Sequence, residues 1–217
     1  MTEFAKVALD YLKNLFAFDQ AHPLLFTQSY FWVFLAVVLG VLCLFRNRIL
    51  LRNAFLFMMS LFFYYKTSGL FLILLLTVIL SGYLTGLLLP RLRSKGWKSF
   101  FLFLGIAISL SLLFYYKYAY FVTDVVNNLF GTHFAVRDWI ASAGNSIAGS
   151  QVFSVDSIFL PVGISFFIFQ AISYLVDVHR GRIEPVRNLV DFGFYISFFP
   201  QLVAGPIVRA TDFIPQI

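Results

Sequence analysis

The sequence predicts an all-α, polytopic transmembrane protein of about six spans, with a broken or re-entrant last segment. Three observations carry this. Hydrophobic residues make up 60% of the 217 and charged residues 12%, and mean hydropathy is +0.86. A water-facing domain has about a quarter of its residues charged, so this chain lacks the polar side chains to cover its surface. The apolar stretches are also continuous, as in 70–80 (LFLILLLTVIL), which suits helices; a spanning barrel would alternate polar and apolar. Finally, basic residues gather in every second turn between those stretches. The net charge of +6 therefore reads as a topology signal and not as a nucleic-acid surface. The single cysteine, Cys43, excludes an intrachain disulfide and a multi-thiolate metal site.

Residues 1–23 stand apart. Phe4, Val7, Ala8, Tyr11, Leu12, Leu15 and Phe18 recur at helical spacing, with Glu3, Lys6, Asp10 and Lys13 between them. This predicts an amphipathic helix lying in the outer membrane interface. Its acids argue against a signal peptide. Residues 24–217 form the membrane part.

A span needs about 20 mostly apolar residues. The first runs over 24–45 and is followed by Arg46, Arg48 and Arg52. The second covers 53–65 and is long enough only if 49–51 join it, with Arg52 snorkelling to the headgroups. The third covers 68–89 and stops at Pro90, before Arg91, Arg93, Lys95 and Lys98. The fourth covers 99–122, and a polar loop is expected over 123–157. The fifth covers 158–178 and leads into a basic turn with Arg180, Arg182 and Arg187. The sixth covers 189–208 and is interrupted by Pro200, Gly205 and Pro206.

Ten of the 16 Lys and Arg residues fall in the three turns after spans one, three and five. Those turns are cytoplasmic and the N-terminus is outside. Segments 60–66 (SLFFYYK) and 111–117 (SLLFYYK) both fall at outer helix ends. They read as aromatic belts in preference to an internal duplication.

Ionisable groups at membrane depth are costly and mark function, and few are found. His22, His133 and His179 fall in turns or interfaces. Lys117 snorkels. Asp177 and Asp191 flank the third basic turn, and the plain reading pairs them with Arg180, Arg182 or Arg187. The polar groups placed mid-span are uncharged: Ser165, Gln170, Ser173 and Tyr174 in span five, Gln201 in span six. Gln170 and Tyr174 share a helix face. Interhelical hydrogen bonding and the lining of a polar tunnel are both open for them. Gly205 and Pro206 break the sixth stretch, and broken backbone at depth must be covered by protein or line a cavity. Arg209 keeps its charge. It either caps the broken helix or sits in the outer headgroups, or it meets an anionic group. No metal-ligand spacing, nucleotide loop or Ser/His/Asp arrangement is visible.

Three segments carry a family resemblance: Leu160-Pro161-Val162-Gly163-Ile164-Ser165-Phe166-Phe167-Ile168-Phe169-Gln170, then Tyr174-Leu175-Val176-Asp177-Val178-His179-Arg180-Gly181, then Phe198-Phe199-Pro200-Gln201-Leu202-Val203-Ala204-Gly205-Pro206-Ile207-Val208-Arg209. Together they resemble the membrane-bound O-acyltransferase family, in its bacterial alginate O-acetylation branch. Residues 62–69 (FFYYKTSG) resemble bacterial members less specifically.

The resemblance implies a multi-pass protein of the bacterial cytoplasmic (inner) membrane, with a tunnel through a thinned membrane core. It implies transfer of an acyl group, most simply acetyl, to a hydroxyl of an exopolysaccharide or cell-surface polysaccharide. The acyl donor, acetyl-CoA or another acyl thioester, comes from the cytoplasm, no cofactor is held, and an extracytoplasmic acetyl-transfer partner protein fits the same picture. In the family a deep histidine acts in transfer. It lies beyond the Gly-Pro-x-x-Arg region, in the second half of a chain about twice this long. The chain is therefore expected to be the N-terminal part, without that histidine, and no catalytic residue is assigned. Gln201 stands where some members carry a histidine. The tunnel or substrate-path candidates are Gln170, Tyr174, Gln201, Gly205, Pro206 and Arg209. A transporter or channel lined by the broken helix is the alternative, though no inverted repeat or buried charge pair supports it. A non-catalytic membrane scaffold is another.

Overall fold

The computed structural model describes residues 29–217 apart from 46, 149–154, 156–157, 159 and 207. The interfacial helix expected over 1–23 lies outside the described residues, as does His22. Among the described residues the chain is helical, with no strand. The helices are α1 (Ser29–Leu44), α2 (Ile49–Ser68), α3 (Leu72–Arg91), α4 (Lys95–Phe130), α5 (Trp139–Ala148), α6 (Ile164–His179), α7 (Leu189–Ser197), α8 (Phe199–Ala204) and α9 (Ala210–Phe213). Among the described residues two helical stretches are long and apolar enough to cross a bilayer. One is Ile49–Arg91, 43 residues, divided by a short turn at Gly69; the other is Lys95–Phe130, 36 residues. Phe31–Leu44 and Ile164–His179 are shorter apolar helices.

The helix read as the second span does begin at Ile49. Gly69 ends it at φ 60, where its N–H donates to the Tyr65 carbonyl. The fourth helix runs past the boundary read from sequence, to Phe130. Val125, Val126, Leu129 and Phe130 keep the stretch apolar, and Gly131, in the left-handed conformation, stops it. At about 1.5 Å per residue α4 is about 54 Å long, well beyond a bilayer core of about 30 Å.

The loop read as polar contains α5. Asp138 accepts from the Ala141 amide at 2.9 Å, which is an N-cap bond. Tyr115 of α4 donates to the same carboxylate oxygen at 2.9 Å and accepts from the Trp139 amide at 2.8 Å. The loop is thus tied back to the interior of α4 by side chains from both segments.

The core forms around α6. Phe167, Ile168, Ala171, Tyr174 and Leu175 are completely buried and fall on one broad helical face. That face meets α3 and α4, while α2 packs on α7. Small residues permit the close crossings. Gly82 and Gly86, four apart on α3, face Phe192 and Tyr174; a Cβ on Gly86 would lie 2.7 Å from the Tyr174 hydroxyl. Between helices in lipid, where water does not drive association, such close packing is a main source of affinity. The outer surface is apolar: Trp32, Phe103, Phe114, Phe121, Leu129 and Phe130 are all more than half exposed. This is the surface of a protein solvated by lipid.

The sixth stretch breaks at Phe198, before the first proline, and again at Gly205. Continuing α7 through Pro200 would drive its ring into the Ile196 carbonyl and remove that carbonyl's donor. Pro200 instead sits in the first turn of α8, where a missing amide costs nothing.

Candidate functional site

The site forms where α8 lies across the start of α6. Gly163, just before α6, has φ 72, and a Cβ there would collide with the Leu202 carbonyl oxygen. Only a glycine allows both the left-handed turn and the close passage of α8. The result brings Gln170 of α6 to Gln201 of α8. Gln170 is 3% exposed, and its Nε2 donates to Gln201 Oε1 at 2.9 Å. Such a bond between helices contributes about 1 kcal/mol in a membrane protein. It also leaves a Gln170 oxygen and the Gln201 amide hydrogens available to a third group.

The other predicted residues are placed separately. Tyr174 is fully buried, with its ring 4.6 Å from Phe192. Its hydroxyl accepts from the Val186 amide at 3.1 Å and so anchors the turn after α6, one helical turn away from the glutamine pair. Gly205 ends α8, and its N–H donates to the Gln201 carbonyl at 3.1 Å. Pro206 is exposed. Arg209 is exposed at the start of α9, where its carbonyl accepts from the Asp212 and Phe213 amides. Its guanidinium makes no ion pair or hydrogen bond among the described residues. Asp177 pairs with Arg182 at 3.3 Å. Asp191 takes amides instead of an arginine: Asn53 Nδ2 donates to it at 2.9 Å and Asn188 Nδ2 at 3.0 Å.

Several polar groups around the site escaped the sequence reading. Ser60 Oγ accepts from the Phe199 amide at 3.3 Å, supplying an acceptor where the break frees a donor. Tyr195 donates to the Val208 carbonyl at 3.3 Å. The Tyr64 hydroxyl, Ser68 Oγ and Ser197 Oγ are buried without a hydrogen-bond partner among the described residues. The signal was present in α2. Asn53, Ser60, Tyr64 and Ser68 are buried and follow at intervals of seven, four and four, which is one helical face. In so apolar a helix, that face had to meet protein.

The chemistry on hand is that of neutral donors and acceptors. The site can orient a hydroxyl or a carbonyl. Among its described residues none takes a proton at neutral pH. His133 is exposed in the loop after α4, and His179 ends α6. Among the described residues no three His, Cys, Asp or Glu side chains gather where they could hold a metal ion.

Curated relatives share this sequence over most of its length. A protein named probable alginate O-acetylase AlgI, from Pseudomonas putida, is 35% identical over 192 residues, 88% of this chain and 36% of that protein. The protein of the same name from Pseudomonas aeruginosa is 35% identical over 194 residues, 88% of this chain and 34% of that one. A peptidoglycan O-acetyltransferase from Helicobacter pylori is 28% identical over 233 residues, 94% of this chain and 41% of that protein. The chain thus spans about a third of the length of the curated relatives it matches. No family model matches the chain, and no solved structure does. Over most of its length the chain is thus similar to proteins named alginate O-acetylase, in line with the resemblance carried by its sequence segments.

Proposed function

We propose that this chain is the N-terminal part of a multi-pass O-acetyltransferase of the bacterial cytoplasmic membrane, which esterifies hydroxyls of an exopolysaccharide or cell-surface polysaccharide. The carrying observation is the 35% identity to alginate O-acetylases across 88% of the chain. In this reading the chain crosses the membrane six times, with the turns after α1, α3 and α6 inside and a broken last segment. The donor is acetyl-CoA or another acyl thioester reaching the membrane from the cytoplasm. An extracytoplasmic partner protein hands the acetyl group on.

The geometry supports a thinned crossing point. Helix α6 has 16 residues, a rise of about 24 Å against a core of about 30 Å. Gln170 of this short helix pairs with Gln201 of the broken segment, where polar groups on a substrate path belong. Gln170 and Gln201 orient the reacting hydroxyl or carbonyl, and the base is supplied by residues outside the described part of this chain. Arg209, held by no partner at the far side of the break, is the group open to an anionic part of the donor.

A segment exchange tests the reading. Residues 1–217 replace the matching third of the Pseudomonas aeruginosa protein in a strain lacking its own copy. Ester-linked acetate on secreted alginate is then measured, with chimera abundance in the membrane as control. Restored acetylation is expected. A chimera present at the native level with unacetylated alginate would overturn the proposal. In the same chimera, with Cys43 replaced by Ser, Ser146→Cys should react with an impermeant thiol reagent in intact cells and Ser94→Cys should not. The reverse pattern would invert the topology.

A further inference from the structure

At the basic end of α3 lies an open groove of about 400 Å³, lined by Leu87, Pro90, Arg91, Pro185 and Arg187. Arg91 and Arg187 are exposed, and neither guanidinium has an acidic partner among the described residues. The nearby acids are otherwise placed. Asp177 is paired with Arg182, Asp191 is engaged by Asn53 and Asn188, and Glu184 is exposed to solvent. The two arginines come from separate segments, yet their spacing is fixed. The Tyr83 hydroxyl, on α3, donates to the Arg187 carbonyl at 2.6 Å and pins that backbone to the helix that carries Arg91.

The groove continues along the helix as an apolar strip. Leu76, Leu80 and Leu84 are 40%, 50% and 55% exposed and repeat every four residues, and Leu87 and Arg91 extend the same face. From Leu80 to Arg91 the helix rises about 16 Å, close to the hydrocarbon depth of one leaflet. One helix face thus offers an apolar strip of acyl-chain length that ends at two unpaired guanidiniums.

We propose that this groove binds an anionic phospholipid, with the headgroup phosphate between Arg91 and Arg187 and an acyl chain along Leu84 and Leu80. Guanidinium forks match phosphate oxygens in charge and geometry, and basic pockets at the cytoplasmic ends of membrane helices collect anionic lipid. A soluble phosphate ester would satisfy the arginines but would leave the leucine strip unused. The inference rests on α3 spanning the membrane and not on acyl transfer, so it stands or falls separately from the segment exchange.

Native mass spectrometry of the purified chain, titrated with phosphatidylglycerol or phosphatidylcholine, tests it. An arginine near anionic lipid changes affinity about fivefold, so two should favour phosphatidylglycerol about twenty-fivefold. The variant Arg91→Gln/Arg187→Gln should bind both lipids alike. Arg93→Gln, on the same basic turn but outside the groove, should keep the preference. If the glutamine variant misfolds by circular dichroism, Arg91→Lys/Arg187→Lys replaces it. That variant keeps the charge without the fork and should lose part of the preference. Selectivity unchanged by loss of both guanidiniums, or lost equally in Arg93→Gln, would overturn the proposal. Complete displacement of the lipid by millimolar inorganic phosphate would also overturn it, by assigning the arginines to a soluble anion.

Discussion

Residues 60–66 (SLFFYYK) and 111–117 (SLLFYYK) differ at one position, yet they turn opposite sides to the core. In α2 the buried members are Ser60, Phe63 and Tyr64; in α4 they are Leu113 and Tyr116. The pattern is displaced by two residues, which is about 200° around a helix. Phe63 is 1% exposed, and its ring lies 5.4 Å from that of Phe199. Its counterpart Phe114 is 56% exposed. Neighbours decide this. Helix α2 lies among α1, α7 and α8, while α4 meets α3 and α6 along one side. A short aromatic segment with apolar residues all round suits either side of a helix, so the packing around it selects which side is buried.

The tyrosines show the same division. Tyr115 places its hydroxyl on Asp138 and the Trp139 amide, an apolar ring with a polar tip bonded to the segment that follows its helix. Tyr64 is drawn into the interior against Phe167. The aromatic-belt reading places both segments at outer helix ends, but the α4 segment lies within its helix, which runs on to Phe130. That reading also misses that the α2 segment builds the floor of the break.

The largest contrast should come from the phenylalanines. Phe63→Ala empties a filled cluster and should cost about 3–5 kcal/mol; Phe114→Ala, on the outer surface, should change stability by about 0.5 kcal/mol or less. Detergent-mixture unfolding with increasing SDS measures both, and equal losses would break the comparison. The tyrosines come next. Tyr115→Phe leaves the Trp139 amide without its acceptor and should cost about 1–2 kcal/mol. Tyr64→Phe removes a hydroxyl with no partner among the described residues and should be neutral or slightly stabilising, because the buried group's desolvation is relieved. A clear loss in Tyr64→Phe would reveal a partner for it. The serines should differ least. Ser60→Ala strips the Phe199 amide of its acceptor, for about 1 kcal/mol. Ser111, exposed and bonded to the Ile108 carbonyl of its own helix, should tolerate Ala within about 0.5 kcal/mol.

The helical class, the basic turns and the break in the last stretch were legible in the residues. Each rests on something local: an uninterrupted apolar run, a cluster of arginines, a proline that cannot continue a helix. The extension of α4 to Phe130 and the presence of α5 were not. Asn, Gly and Ser weigh toward loop when averaged over a window, while one carboxylate, Asp138, suffices to start a helix once Tyr115 holds it.

The candidate site divides in the same way. Gln170 and Gln201 stood out as polar residues in apolar stretches, but they lie 31 positions apart, and nothing local says that they touch. Their meeting depends on Gly163, whose missing side chain admits α8, and on Pro200, which sets where α8 begins. Tyr174 shares a helix face with Gln170, four residues before it; the structure has its hydroxyl accept from the Val186 amide instead, since Gly86 opens room for the ring on the α3 side. Asn53 and Asp191, 138 positions apart, pair for a reason of the same kind. Composition and charge order settle what a segment is, because they act through the solvent around it. Which polar groups share a site is settled by the packing of the helices, because in lipid a buried amide or carboxylate must find its partner wherever another helix brings one.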